Sequence, residues 1–356
     1  MHVRVVPIDQ LTPLDVRAWA ELQRADEQLH NPFFRPEFAA LVGQATGKTE
    51  VAVLEEGGEA VGFFPFQREP GNLGRPVGAE IGDVQGIVAK PGVEVDAVAL
   101  LRECGLVVWT FDHLLATQAC FAPFHDCVED SPFMDLSGGY EAYRQSRLVS
   151  GSSIIHRFDQ RRRKLAKEVG PVRFVWHAED PRVFVAACQW KREQVQHLHY
   201  PDIFQLPCVI EMLARLRDAR DEAFQCVVSG LYAGDELVAA MVGVRSHEVL
   251  SACIPAFNAS YARYSPGMIL HLELARHAQE NGVTRIDLGR GANQTKLSLM
   301  SGAVPVALGA VDSRPLPRLV RKAWYRLRDV VYATPLQRGP LRWYRQLRNR
   351  FQPVHP

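Results

Sequence analysis

The sequence has no run of about 18 apolar residues, so no segment reads as a membrane-spanning helix. Its opening stretch, MHVRVVPIDQLTP, lacks the apolar core of a secretory signal, and a cytoplasmic location is the expectation. Cysteine is sparse: there are 7, an odd number, and none stands in a Cys-x-x-Cys pair. That argues for buried free thiols in a reducing compartment rather than a disulfide framework. His197 and His199 form a His-x-His with no third ligand in the pattern, so no metal is expected. No excess of one charge exists overall, since the net is +1. An apolar share of 47% and a charged share of 23% are those of a soluble globular protein.

The charge is unevenly placed. From Arg314 onward there are 11 Lys or Arg and one acid, Asp329, which leaves the first 313 residues at −9. A mildly acidic body speaks against DNA as a partner. The tail interleaves arginine with Trp324, Tyr325, Tyr332, Trp343, Tyr344 and Phe351. It fits an amphipathic segment on an anionic membrane surface or an acidic partner, and equally helices packed on the body with arginines outward.

At 356 residues, two domains are expected. The order of elements repeats. VAVLEEGGEAVGFFPFQ reads as a hairpin about Gly57-Gly58, followed by a strand over 80–88, a helix over 95–103 and a strand over 107–111. CVVSGLYAGDELVAAMVGVR is again a hairpin, about Gly234-Asp235, followed by a strand over 249–255, a helix over 267–280 and a strand over 283–288. EGGEAVGFFPF aligns with AGDELVAAMVG, and CGLVVWTFDHL with NGVTRIDLGRG. Two copies of one α/β unit follow, each a mixed central sheet flanked by helices. The expected division is 1–150, 151–312 and a basic helical tail over 313–356. Before the first hairpin, 13–29 reads as a helix and Asn31-Pro32 as a turn. Between the copies, HRFDQRRRKLAKEV is a strongly basic helix over 156–169, either a solvated face or a contact to phosphates. FVAACQWKREQVQHLH is a helix over 184–199 carrying Trp190, Lys191 and Gln194, and 208–219 is one more helix.

The second copy holds the most informative stretch, YARYSPGMILHLELARHAQENGVTRIDLGRG over 261–291. Ser265 reads as the N-cap, Pro266 suits the first helical position, and Gly267 leaves the first turn bare. Such a helix start, with Arg263 beside it, can hold an anion, or it is simply a well-capped helix between strands. In the first copy the corresponding loop, AKPGVEVDAVAL, has Glu94 and Asp96 instead, so a polyanion belongs to the second copy.

Arg263, Tyr264, Ser265, Pro266, Gly267 and Met268, following a hairpin and a strand and feeding a helix, resemble the R-x-x-[PG]-G-x loop of the GNAT acyltransferase fold. The wider match, YARYSPG through Asp287-Leu288-Gly289-Arg290-Gly291 to Lys296, resembles the GNAT-like proteins of bacterial cellulose and exopolysaccharide biosynthesis. That family often has Tyr-Lys where this chain has Thr295-Lys296. The resemblance spans residues 32–311, with its specific part at 261–291. The duplicated order is also similar to the Fem-type aminoacyl transferases, although no heptad arm is visible.

The resemblance implies transfer of an acyl group, acetyl-CoA being the expected donor, to a sugar or sugar-linked precursor. Fem-type aminoacyl transfer and a non-catalytic accessory role are the alternatives. Donor contacts would come from backbone N–H groups over Ser265, Pro266, Gly267, Met268 and Ile269, with Arg263 assisting, and an oxyanion site from the strand at Cys253 and Ile254. Asp287, at the carboxyl end of the last strand, is the first candidate base, or an anchor of the glycine loop. Glu273 and His271 are helix-borne alternatives that equally suit solvent-facing positions. Arg290, Lys296, Trp190, Lys191 and Gln194 are the expected acceptor contacts.

Overall fold

The computed structural model describes residues 1–198, 202–291, 293–312 and 314. The basic aromatic tail and its expected helices, like His199, lie outside the described residues. The first half begins with β1 (His2–Pro7), α1 (Pro13–Ala25), α2 (Pro36–Thr46), β2 (Thr49–Glu56), β3 (Glu59–Glu69), β4 (Leu73–Arg75) and β5 (Val88–Ala89). It continues with α3 (Ala97–Glu103), β6 (Val108–Leu115), β7 (His125–Asp135) and α4 (Gly139–Val149). The second half follows with α5 (Ile154–Glu168), β8 (Val172–Val175), α6 (Pro181–His197), α7 (Pro207–Arg217), β9 (Arg220–Asp221), β10 (Phe224–Ala233) and β11 (Glu236–Ser246). It ends with β12 (Val249–Phe257), α8 (Pro266–His277), β13 (Arg285–Asp287), α9 (Gln294–Leu299) and β14 (Gly302–Asp312).

Local chemistry sets most of these boundaries. Thr12 and Asp15 close a reciprocal capping box on α1. Gly47, at φ 65°, ends α2 in the left-handed region. Helix α5 buries Ile154, Ile155, Phe158 and Leu165, turns Arg163, Lys164 and Lys167 to solvent and sets Arg162 on Glu273 of α8.

The two expected sheets are one. Among the described residues a 14-stranded mixed sheet runs β1-β2-β3-β4-β6-β14-β7-β13-β12-β11-β10-β8, with β5 on β3 and β9 on β10. The join is an exchange of strands. β14, from the end of the second half, lies between β6 and β7 of the first. β7 in turn pairs with β13 of the second half. Helices cover both faces and bury four apolar clusters. One cluster brings Phe33, Phe38 and Leu41 of the first half against Val242, Val244 and Ile254 of the second.

Candidate active site

Parallel strands β12 and β13 pair at Val249–Arg285, Leu250–Ile286 and Ser251–Asp287, then part. β12 runs on to Phe257, whereas β13 stops at Asp287. The parting coincides with a bulge, where Ala252 and Cys253 together face Gly243 between the Val244–Ser251 and Val242–Ile254 pairs. A Cβ on Gly243 would sit 2.8 Å from the Ser251 carbonyl oxygen, so the bulge needs glycine. Opposite, the chain leaves β13 through Gly289 (φ 72°) and Gly291 (φ 103°).

Four charged or titratable groups converge here from four segments. His271, on the first turns of α8, donates through Nδ1 to the Gly267 carbonyl, 2.7 Å away; that oxygen can only accept, so Nδ1 carries the proton. Its Nε2 has no partner among the described residues. Burial pushes the imidazole below its ordinary value, and the Lys296 and Lys191 ammoniums add to that, so it is neutral near pH 7. Lys296 of α9 donates to the carbonyls of Gly289 (3.0 Å) and Arg290 (2.9 Å), which leaves a third N–H. Lys191 of α6 has no hydrogen-bond or ion-pair partner among the described residues. Burial lowers its ammonium, and Asp83 opposes the shift.

Asp83 comes from the first half. Its carboxylate lies against Gly289, where a Cβ would meet Oδ2 at 2.9 Å. It too has no hydrogen-bond partner among the described residues, and burial raises it above the usual carboxylate range against the pull of His113, Lys296 and Lys191. Two residues on, Gln85 fixes the segment to β6. Its side chain accepts from the Asp112 and His113 N–H groups and donates to the Asp112 carboxylate. Asp83, Lys191, His271 and Lys296 each keep intermediate solvent exposure although burial dominates their shifts. Asp83 and Lys296 meet at the Gly289 loop, where the chain leaves β13 and the gap beside β12 opens.

Several expected site residues sit otherwise. Asp287 is 4% exposed, with Oδ2 accepting from Asn31 Nδ2 at 2.8 Å and Oδ1 from Arg285 Nε at 2.6 Å. Glu273 is 2% exposed and points at α5, paired with Arg162 at 2.6 Å and Arg276 at 3.5 Å. The Arg290 guanidinium turns to the first half, donating to the Asp112 carbonyl and lying 3.6 Å from Glu129. Tyr264 is a core side chain whose hydroxyl donates to Glu168 at 2.8 Å. Ile254 is buried in the cluster beneath β12, and Cys253 holds its thiol toward Ser251, with burial pushing that thiol up. Trp190 packs partly buried in the cluster under β11 and β12, and Gln194 Nε2 is buried without a partner among the described residues.

The helix start also differs from expectation. Ser265 is left-handed (φ 55°) and makes no side-chain cap. Its N–H goes to the Ala262 carbonyl, and its own carbonyl takes both the Met268 and Ile269 N–H groups. Pro266 has no N–H, so Gly267 alone keeps a free donor among the described residues. Just upstream, the Arg263 guanidinium pairs with Glu168 at 3.5 Å and donates to the Tyr264 hydroxyl, and Arg161 donates to the Arg263 carbonyl at 2.7 Å. Arg157, one turn earlier on α5, reaches Ser298 of α9. In the first half, α3 is instead capped by the Asp96 carboxylate on the Val98 and Ala99 N–H groups. That side chain occupies the place an anion would take.

Asp83 is the residue that sequence reasoning missed. Its segment, EIGDVQG, has no periodicity and no motif, and only the tertiary approach to Gly289 marks it.

The family profile of acetyltransferase (GNAT) domains matches residues 152–297. No curated protein matches the chain. Among solved structures, the C-terminal domain of a putative lysylphosphatidylglycerol synthetase from Agrobacterium fabrum is similar at 12% identity, over 86% of this chain and 93% of that one, with a TM-score of 0.53. FemX is similar at 11% identity, over 90% and 100%, with a TM-score of 0.55. A tandem GNAT protein from the clavulanic acid biosynthesis pathway is similar at 13% identity, over 88% and 99%, with a TM-score of 0.45. At such identity the likeness is one of fold. Residues 152–297 are therefore an acetyltransferase (GNAT) domain, the acyltransferase part of a chain that is α/β throughout.

Proposed function

We propose that the protein transfers an acyl group from a coenzyme A thioester, acetyl-CoA in the first instance, to an acceptor bound in the recess between β12 and β13. The observation that carries this is His271. It is a neutral imidazole, oriented through Nδ1, with Nε2 unpartnered among the described residues beside two ammonium groups. A general base needs an accessible lone pair at working pH, which His271 has. Asp287 and Glu273, with their carboxylates held by arginine and asparagine, do not. Lys296, fixed by two carbonyls with one N–H left, suits the oxyanion of the tetrahedral intermediate.

The donor diphosphate falls to the positive end of α8, with Gly267 N–H, Arg263 and Arg161 as its contacts. The acceptor class, a sugar or sugar-linked precursor of exopolysaccharide or envelope assembly, rests on the resemblance of residues 261–296. So does attachment at the inner membrane or to a synthase complex. The 1–150 and 151–312 units are read as tandem copies of which the second holds the donor, in keeping with the Asp96 cap on α3.

A second reading is favoured by the scarcity of free amides at α8. One N–H is a thin cradle for a diphosphate, and the likeness to FemX makes aminoacyl transfer the competing chemistry. Calorimetry with acetyl-CoA separates the readings. Micromolar binding that weakens at least about tenfold in Gly267→Glu is expected, since a carboxylate there meets the donor's phosphates. Gly267 has only the Phe257 ring edge at 3.4 Å from a new Cβ, so the variant folds. No binding by the wild type, with turnover of aminoacyl-tRNA, selects the second reading. Neither would leave the accessory role.

A further inference from the structure

On the acyl-transfer reading, on which this inference rests, Lys296 serves the tetrahedral intermediate only if its ammonium stays in place. The side chain hangs on α9, a helix of 6 residues. A helix that short does not hold itself together in water. Its start is closed by Asn293, whose side-chain oxygen accepts from the Lys296 N–H at 2.9 Å. Its end leaves carbonyls that no residue of the helix can satisfy. Three in succession are met by side chains from one distant stretch of the chain. Ser152 Oγ donates to the Ser298 carbonyl at 3.0 Å, the Tyr143 hydroxyl to the Leu299 carbonyl at 2.6 Å, and the Arg147 guanidinium to the Met300 carbonyl.

These donors are themselves held. Tyr143 is 2% exposed and shares an apolar cluster with Leu299 and with Ile269 and Leu272 of α8, the helix that carries His271. Arg147 follows one turn later on α4, its guanidinium 6.0 Å from the centre of the Tyr143 ring. Arg157 of α5 reaches Ser298 Oγ at 3.4 Å, and that hydroxyl donates to the Gln294 carbonyl at 2.7 Å. At its other side α9 sends Lys296 Nζ to the Gly289 and Arg290 carbonyls at 3.0 and 2.9 Å. A slide of α9 by about 1 Å would carry the ammonium out of reach of both oxygens, and a misplacement of that size can cost about 100-fold in rate.

We propose that Tyr143, Arg147 and Ser152 are positioning residues for acyl transfer. They fix the carboxyl end of α9 and so keep the Lys296 ammonium at the Gly289–Arg290 loop, where β12 and β13 part. Their effect on the reaction passes through Lys296.

Thiol release from acetyl-CoA by the full chain, with a mixed pool of amino acids, sugars and amino sugars as acceptors, tests this in a double-mutant cycle. Tyr143→Phe keeps the ring and loses one donor. Its kcat is expected to fall at least about tenfold, with KM for acetyl-CoA within about twofold of the wild type. Lys296→Met is expected to lose at least as much, and adding Tyr143→Phe to it to cost less than about twofold more. A cap that only stabilises the fold would lower the melting midpoint and leave kcat per folded molecule unchanged. Arg147, part-buried, supplies a second cycle should Tyr143→Phe not fold. Arg147→Met is expected to fall at least about tenfold, whereas Arg147→Lys, which keeps a donor for the Met300 carbonyl, stays within about threefold of the wild type. Wild-type kcat in folded Tyr143→Phe and Arg147→Met, wild-type kcat in Lys296→Met, or an undiminished loss in the Lys296→Met background overturns the proposal and leaves the acyl-transfer reading standing. A wild type that releases no thiol fails that reading and takes the proposal with it.

Discussion

Asn31 and Asp287 meet across 256 residues of sequence, and their 2.8 Å hydrogen bond ties the first half to the last strand of the second. Removing the amide leaves a buried carboxylate one partner short. Asn31→Ala should cost about 1–3 kcal/mol of unfolding free energy, read from urea denaturation. If its midpoint matches that of the wild type, the tie has no weight. At this scale the sequence is legible only in part. Glu273 and His271 stand two positions apart on one helix, so they point about 200° from each other. Nothing in the apolar pattern of α8 says which of them faces the β12–β13 gap, because that helix is buried on most of its circumference. Asp287 draws attention by its place at a strand end. That same place buries it between Asn31 and Arg285.

Elements were read more securely than residues where turn chemistry is explicit. Gly57-Gly58 and Gly234-Asp235 mark the hairpins β2–β3 and β10–β11, and the helices lie close to the stretches that periodicity picks out. Ser265 is the N-cap of α8 as expected, but it turns left-handed and its backbone carbonyl, not its hydroxyl, serves the first turn. β7 and β14 escaped notice. HDCVEDSPFMD and GAVPVALGAVD are rich in charged, small or proline residues, and partners on both sides make them strands. Gly243 tests how the bulge governs the site. Gly243→Ala forces a Cβ to within 2.8 Å of the Ser251 carbonyl, and should lose about 1–3 kcal/mol together with thiol-release activity. A variant of native stability with a native rate would detach the bulge from function.

At the scale of the molecule, the exchange of β7 and β14 decides how the chain behaves. A unit ending at 150 contributes β7 to a ladder whose other members, β13 and β14, belong to the unit that follows. The repeated element order in the sequence predicts two separate sheets, but the interleaving of β7 and β14 depends on contacts no local pattern encodes. One cooperative transition in calorimetric unfolding is expected of the 356-residue chain, and a 151–312 fragment alone should stay largely unfolded by amide exchange. Two separated transitions would contradict the shared sheet. The same continuity brings Asp83 of the first half against Gly289 of the second, whose carbonyl Lys296 holds.

The gap between β12 and β13 as the place of acyl transfer is the central claim, and the pH dependence of thiol release from acetyl-CoA tests it most directly. The base must be unprotonated and burial lowers His271, so kcat/KM should already be on its plateau at neutral pH and fall only below the ordinary imidazole range. His271→Ala should lose about 100-fold to 10,000-fold across the plateau while its acetyl-CoA affinity stays that of the wild type. A folded His271→Ala that releases thiol at the wild-type rate would contradict the account.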